Sequence, residues 1–203
     1  HPAWSPDGKS IVYTTWSQKD GGYLYKISAS GGKPVKLTQE SGVYMNPAWS
    51  YKQNRIAFIR GSADRLKKNS GPFGAFGAAE DICWISANGG KVNLVDKAYG
   101  RGNPHFTKKH DRIFLNQGRK GLISLRWDGS DEKQHVIITG ITTFGSFMDW
   151  KANHDTHGAY CLLPETAPDA MERQLPSSAS TITMAPEGNK ALALINNDIY
   201  VVD

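Results

Sequence analysis

Cysteine is scarce in this chain: Cys83 and Cys161 are the only two among 203 residues, too few for a disulfide framework. Cys83 stands in an apolar strand beside Trp84, and Cys161 between Tyr160 and Leu162-Leu163. Each reads as a small buried hydrophobe, while a bridge between them stays open in an oxidising compartment. No apolar run approaches the ~20 residues that span a bilayer. No long window carries helical periodicity, which leaves an all-β chain as the economical reading. A nucleophile elbow is missing as well. Gly145-Ser146-Phe147 lacks the flanking glycine and the strand–helix pattern that Gly-x-Ser-x-Gly requires. Gly71-Pro72-Phe73-Gly74-Ala75-Phe76-Gly77 is glycine-rich, but Pro72 and the phenylalanines spoil a phosphate cradle, so it reads as a loop. A hydrophobic fraction of 39% with 21% charged residues excludes a disordered chain.

Acidic residues are outnumbered, and the net charge is +5. A basic balance raises the question of nucleic acid. The cations, however, are scattered through turns such as Lys52, Lys108-Lys109 and Lys190, and the densest group is Arg65-Leu66-Lys67-Lys68. No recognised nucleic-acid motif accompanies it, so the charge bears on solubility and on attraction to anionic surfaces. The partner expected is a neighbouring domain or another protein, with no nucleic acid and no membrane span.

What the chain does have is a phrase written four times. It reads Pro2-Ala3-Trp4-Ser5-Pro6-Asp7-Gly8-Lys9-Ser10-Ile11-Val12-Tyr13, then Pro47-Ala48-Trp49-Ser50 through Phe58, then Pro104-His105-Phe106-Thr107 through Leu115, and more weakly Thr183-Met184-Ala185-Pro186 through Leu194. Each copy is an anchor, a polar turn and an apolar strand. Pro6 fixes φ at the corner, Asp7 can bond its own backbone and Gly8 accepts positive φ, so a hairpin follows. A third strand comes next, at Leu24–Ile27, Ile82–Ile85, Leu122–Leu125 and Ile199–Val202, then a glycine turn at Gly31-Gly32, Gly89-Gly90 or Asp128-Gly129. Val35–Thr38, Val92–Val95 and Val136–Thr139 read as fourth strands.

The units are therefore four-stranded antiparallel meanders, over approximately 1–42, 43–100, 101–140 and 181–203. Trp4 and Trp49 lie 45 positions apart, near the ~40–50 residues of a propeller blade; Trp49 to Phe106 is 57 and Phe106 to Met184 is 78. The excess falls in two insertions, 61–79 and 141–180. The expected fold is an all-β propeller of about four blades. A closed ring has typically four to eight, so a slice of a larger ring is expected over residues 1–203.

Pro-Ala-Trp-Ser-Pro-Asp-Gly-Lys-x-Ile-Val-Tyr, then Leu-Tyr-Lys-Ile-x-Ala-x-Gly-Gly and a closing Leu37-Thr38, resembles the WD40-like repeat of TolB-type β-propellers. Gly121–Asp131 and Asn196–Val202 resemble the propeller part of large bacterial exported proteins in which such blades precede a metal-dependent amidohydrolase domain. The resemblance implies an exported, periplasmic setting and a non-catalytic segment that acts as a docking platform or access filter. It implies no cofactor in this segment. The alternatives it leaves are a partner-binding envelope propeller of the TolB type and a propeller lyase or hydrolase with an axial metal.

Candidate chemistry is thin. His154, Asp155 and His157 lie together in the second insertion and suggest a surface metal site, but Ala159 stands where a second paired histidine of an amidohydrolase would be. The plainer reading is polar residues on an exposed loop. Oligogalacturonate lyases resemble TolB-like arrays and hold a metal with several histidines. Here His105 is at an anchor and His135 opens a fourth strand, so their repeat positions give no reason for them to converge on the axis. Asp7, Asp111 and Glu187 occupy turns, where backbone capping explains them. Trp4, Trp49 and Phe106 share one register and are expected to pack between neighbouring blades. Trp16, Tyr23 and Tyr44 are the aromatics expected at the ring surface, with Tyr44-Met45-Asn46 at a channel mouth. No catalytic residue is assigned.

Overall fold

The structure, a computed structural model, describes residues 1–68, 78–117, 121–136, 159–161, 173–175, 182–195 and 198–202. The first unit comprises β1 (Pro2–Trp4), β2 (Ser10–Thr14), β3 (Leu24–Ser28) and β4 (Val35–Lys36), paired in that order. The second comprises β5 (Val43–Trp49), β6 (Arg55–Gly61), β7 (Ala79–Ser86) and β8 (Asn93–Lys97), with a short helix α1 (Ala63–Lys68) between β6 and β7. The third comprises β9 (Arg101–His105), β10 (Ile113–Gln117), β11 (Gly121–Leu125) and β12 (Lys133–Val136). A separate pair, β13 (Ala159–Cys161) with β14 (Arg173–Leu175), falls in the second insertion. The fourth unit has β15 (Ile182–Met184), β16 (Ala191–Ile195) and β17 (Asp198–Val202). Every pairing is antiparallel between consecutive strands.

Turn chemistry sets these boundaries. The Ser5 hydroxyl donates to Asp7 Oδ1 at 2.6 Å and accepts the Ser10 amide at 2.9 Å, while Gly8, at φ +69°, donates its amide to Ser5 O at 2.9 Å. The second unit has no glycine there. Instead Ser50 Oγ accepts the amides of Lys52 and Gln53 at 3.1 and 2.9 Å. Thr107 Oγ1 takes the same role for the His110 amide at 3.0 Å. One hydroxyl at one repeat position thus bonds the corner in three units.

All three expected fourth strands differ in extent, that of the second unit running Asn93–Lys97 and not Val92–Val95. The described fourth strand of the third unit is Lys133–Val136 and so opens three residues before the expected Val136, because Leu122 pairs with Val136 and Ser124 with Lys133 across a bulge. Ile137–Thr139 lie outside the described residues. The first unit's fourth strand ends at Lys36. Beyond it, Leu37 donates to Leu24 O at 2.8 Å and the Leu24 amide turns to Thr38 Oγ1 at 3.1 Å, a side chain taking over from the ladder. The first insertion is likewise not all loop: it opens with α1, whose Leu66 packs on the core and whose Lys67 Nζ donates to Lys19 O at 3.0 Å. No helix among the described residues is long and apolar enough to cross a membrane.

The core lies between successive sheets. Strand β6 is apolar at consecutive positions because both its faces are covered. Ile56 and Phe58, with Cys83 and Ile85, pack on Val12, Leu24 and Leu37 of the first unit. Ala57 and Ile59, with Ile82 and Val95, pack on Phe106, Ile113, Leu115, Ile123 and Leu125 of the third. Each large side chain sealed in this way contributes about 1.5–3 kcal/mol of apolar burial. We call the face a unit turns to its predecessor its leading face and the other its trailing face. First strands also pack in sequence, β1 on β5 and β5 on β9. In β5 and β9 a bulge precedes the anchor, with Asn46 and Asn103 at φ +48° and +53°, one repeat position before Pro47 and Pro104.

Candidate functional site

Two histidines come together within the third sheet. His105 and His135 both pack on the fully buried ring of Phe114, with centroids 5.7 and 5.0 Å away. The expectation concerned the propeller axis alone; the two rings meet instead on Phe114 within one sheet. The reason is the register: His105 and Ser124 both pair with Phe114 across the sheet, and His135 reaches Ser124 from β12. They do not form an open site. Asn103 O, an acceptor only, lies 2.9 Å from His105 Nδ1, so that nitrogen carries the proton; Nε2 accepts the Met184 amide at 3.0 Å. Nδ1 is spent within β9, and Nε2 joins β9 to β15. Burial pushes the His105 imidazole down to about 4, which keeps it neutral and an acceptor.

Beside it, His135 Nε2 lies 2.8 Å from Ser124 Oγ, and Arg112 Nε donates to the same oxygen at 2.8 Å. Serine, histidine and a cation in hydrogen-bond reach have the outline of an activated nucleophile. Ser124 is nevertheless completely buried, and no substrate carbon can approach its oxygen. Partial burial of the His135 ring, with Arg112, His110 and Lys133 nearby, lowers its proton affinity. Arg112 also donates to Asp131 Oδ2 at 2.7 Å and to Ser124 O at 3.1 Å. The group is a cross-strand clamp. Its members were missed because their spacing, over residues 105 to 135, follows the sheet and not a motif.

On the side of the anchor turns, Asp111, Arg112, Arg126, Trp127 and Asp128 line a shallow cleft of about 330 Å³. Trp127 stacks on Phe106 at 5.2 Å and meets Trp84 edge-on at 6.0 Å, while the Arg55 guanidinium lies 4.1 Å from the Trp84 ring centre. Asp111 accepts Trp127 Nε1 and Gln53 Nε2, each at 2.8 Å. The expectation of a turn role for Asp111 therefore needs widening: it ties the second unit to the third. Arg55 and Arg112 share one repeat position, just before Ile56 and Ile113, which was the signal available in the sequence.

At the opposite end, Trp16 is 40% and Tyr99 77% exposed, and both face outward as recognition aromatics can. Tyr23 lies under Lys36 Nζ, 3.2 Å from its ring centre. Tyr44 and Met45 do not line a channel mouth: Tyr44 is buried edge-on against Phe58, its hydroxyl donating to Glu40 O at 2.8 Å. Near this end, Asp81 accepts Arg60 at 2.8 Å and Lys97 at 2.7 Å. Burial would raise its pKa, but the two cations outweigh that and hold it below the usual carboxylate range. Cys83 is a free buried thiol, pushed up to about 11 by burial, and is no nucleophile. His154, Asp155 and His157 lie outside the described residues. Among the described residues no group of three metal-ligating side chains converges.

Of the anchors, Trp49 and Phe106 pack between sheets as expected, Trp49 also donating Nε1 to Ala3 O at 3.1 Å. Trp4 does not; it is 60% exposed.

Against known proteins, no family model and no curated protein matches the chain. Solved structures do match. A TolB-type protein from Agrobacterium tumefaciens superimposes with a TM-score of 0.56 at 15% identity, over 98% of this chain and 58% of that one. TolB from Acinetobacter baumannii gives 0.56 at 15% identity, over 98% and 39%. An oligogalacturonate lyase in complex with manganese gives 0.53 at 10% identity, over 95% and 57%. The fold is a partial TolB-like β-propeller. The four units are its blades, three complete and the fourth with three described strands. At these identities the likeness carries the fold and nothing more, and the chain spans less than two thirds of the length of each of these proteins.

Proposed function

We propose that this propeller segment is a non-catalytic docking platform, or access filter, for a metal-dependent amidohydrolase domain encoded in the same exported bacterial protein. One observation carries the non-catalytic part. The side chains best suited to chemistry are already used by the scaffold: both nitrogens of His105 are bonded to backbone, and Ser124 is sealed beneath His135 and Arg112. The docking part rests on the end of the blades that carries the first insertion. There α1 bridges the first two blades through Lys67 and Lys19, with Trp16 and Tyr99 exposed. Rigid sheets that hold such loops out suit a contact surface. The second insertion, 141–180, is the other proposed contact segment.

The amidohydrolase association rests on the resemblance of Gly121–Asp131 and Asn196–Val202, and the exported setting on the TolB-like repeats. The reading frame that follows these residues tests it. A His-x-His opening a β/α-barrel pattern is expected, and a frame without one contradicts the association. The docking role is tested by titrating this chain with the separately produced neighbouring domain. Trp16→Ala with Tyr99→Ala is expected to weaken binding at least tenfold. An envelope lipoprotein that binds instead, with the same dependence on Trp16 and Tyr99, selects the TolB-type partner role. A bound manganese ion or turnover by this segment alone contradicts the non-catalytic reading.

A further inference from the structure

Lysines scattered through the sequence come out at one end of the blades, the end of the anchor turns. In each meander the turn after the first strand and the turn after the third lie side by side. The Ala29 amide donates to Lys9 O at 2.8 Å in the first blade, and the Ala87 amide to Asn54 O at 3.0 Å in the second. Neighbouring blades meet at the same level, where Gln53 Nε2 donates to Asp111 Oδ2 at 2.8 Å. Lys52 and Lys109 share one repeat position in the anchor turns, and Lys33 and Lys91 each follow the Gly-Gly pair of the other turn. All four are exposed, and none makes an ion pair among the described residues. The surface they form is the end of the sheets, neither a leading nor a trailing face.

The second blade, with a described blade on either side, shows the polarity most clearly. Its carboxylates all stand at the other end: Asp64 in α1, Glu80 and Asp81 where β7 begins, and Asp96 near the close of β8. There Asp81 takes Arg60 and Lys97 at 2.8 and 2.7 Å, Glu80 takes Arg65 at 3.3 Å, and Asp96 takes Arg101 at 2.6 Å. At the anchor-turn end the same blade has Lys52, Arg55 and Lys91 and no acid. The flanking blades do have carboxylates at this level, but these are engaged. Asp7 and Asp128 cap their own turns, and Asp131 holds Arg112 and Arg126. With Arg55 over Trp84, the arginines are occupied too. The cations left to face outward are lysines, compact hydrated charges on flexible stems.

Stacked sheets lie about 10 Å apart, so equivalent lysines on neighbouring blades do not converge on one small anion. Their spacing suits anions spread over a plane. Tyr51, next to Lys52 and 40% exposed, adds an amphipathic ring of the kind that sits at headgroup level. We infer that the anchor-turn end of the second blade, with the turns beside it, is a peripheral contact for a bilayer surface of anionic phospholipid. Each lysine held at such a surface strengthens binding about fivefold. The attraction reaches about 10 Å at moderate salt and needs no segment in the hydrocarbon. The end that carries α1, Trp16 and Tyr99 then faces away from the bilayer, open to the neighbouring domain.

Co-sedimentation with vesicles tests this, using phosphatidylcholine alone and phosphatidylcholine with about one third phosphatidylglycerol. Binding is expected to the mixed vesicles only, and should disappear as salt rises from about 0.1 M to about 1 M. Lys52→Gln with Lys91→Gln should weaken it roughly twenty-fivefold, about fivefold for each lysine, with thermal unfolding unchanged. The control makes the same change of charge at the other end. Lys19→Gln with Lys68→Gln, both exposed, should leave binding nearly unaltered. Equal loss in the two double variants overturns the proposal, because net charge and not this face would then account for binding. Failure to bind the mixed vesicles, or equal binding to phosphatidylcholine alone, overturns it as well. So does displacement of the vesicles by poly-glutamate at equal negative charge, which assigns the face to an acidic protein. Trp16→Ala with Tyr99→Ala should bind vesicles as the unaltered chain does, so failure of the docking reading and failure of this one are told apart.

Discussion

The junction between blades two and three and the junction between blades three and four join copies of the same unit by different means. The first is dry. Ala57, Ile59, Ile82 and Val95 meet Phe106, Ile113, Leu115, Ile123 and Leu125, and the Phe106–Trp127 stack closes one side. The second carries polar links beside the fully buried Phe114 and Leu122 of blade three. His105 accepts the Met184 amide, the Lys108 amide donates to Pro186 O at 2.5 Å, and Lys108 Nζ pairs with Glu187 at 2.6 Å. Apolar burial is indifferent to pH and salt at this scale, whereas a histidine acceptor works only when neutral. One repeat architecture therefore carries a pH-insensitive joint beside a pH-sensitive one.

The largest expected effect is at the dry joints. Phe58→Ala, in the cluster between blades one and two, should cost about 3–5 kcal/mol in denaturant unfolding, the range for a large buried aromatic. A cost below about 1 kcal/mol would mean that this joint does not hold the sheets together. Next comes acid. The His105 value in the fold, about 4, lies below the unfolded ~6.5, so the folded state binds fewer protons between those values. Stability from this group is fully present above about 6.5 and is lost as pH falls toward 4, by roughly 3 kcal/mol. His105→Gln, whose amide oxygen can still accept the Met184 N–H, should flatten that slope, and an unchanged slope would place the titration elsewhere.

Smaller effects sharpen the contrast between covered and uncovered blades. Gly129 sits at φ +81° against Val95 O and Gly31 at φ +89° in open space. Alanine at position 31 should cost only the left-handed backbone penalty of about 1–2 kcal/mol. Alanine at 129 should cost clearly more, because its Cβ meets backbone. Equal costs would mean that the third blade does not press on the second at that turn. Last, Trp49→Phe keeps the ring but loses the indole bond to Ala3 O, an expected loss of about 0.5–1.5 kcal/mol.

The sequence made the scaffold legible because its turns are local. Ser5-Pro6-Asp7-Gly8, Gly31-Gly32 and Gly89-Gly90 state their conformation in three or four residues, and the strands between them follow. What stayed illegible depends on neighbours in space. Nothing near His105 in the chain shows that Met184 would use its second nitrogen. Trp4 and Trp49 are written in the same words, yet one is exposed and the other seated on Ala3, because burial is a property of the adjacent sheet. Tyr44 likewise looked free until Phe58 and Glu40 O were placed around it.

The contrast between the two joints is tested most directly by amide hydrogen exchange, corrected for intrinsic rates, at pH 7 and pH 4.5. Protection of β16 (Ala191–Ile195) should fall at the lower pH, as His105 takes up its proton and releases Met184, while β6 (Arg55–Gly61) keeps its protection. Equal loss in both strands, or a β16 that stays protected at pH 4.5, would contradict the account.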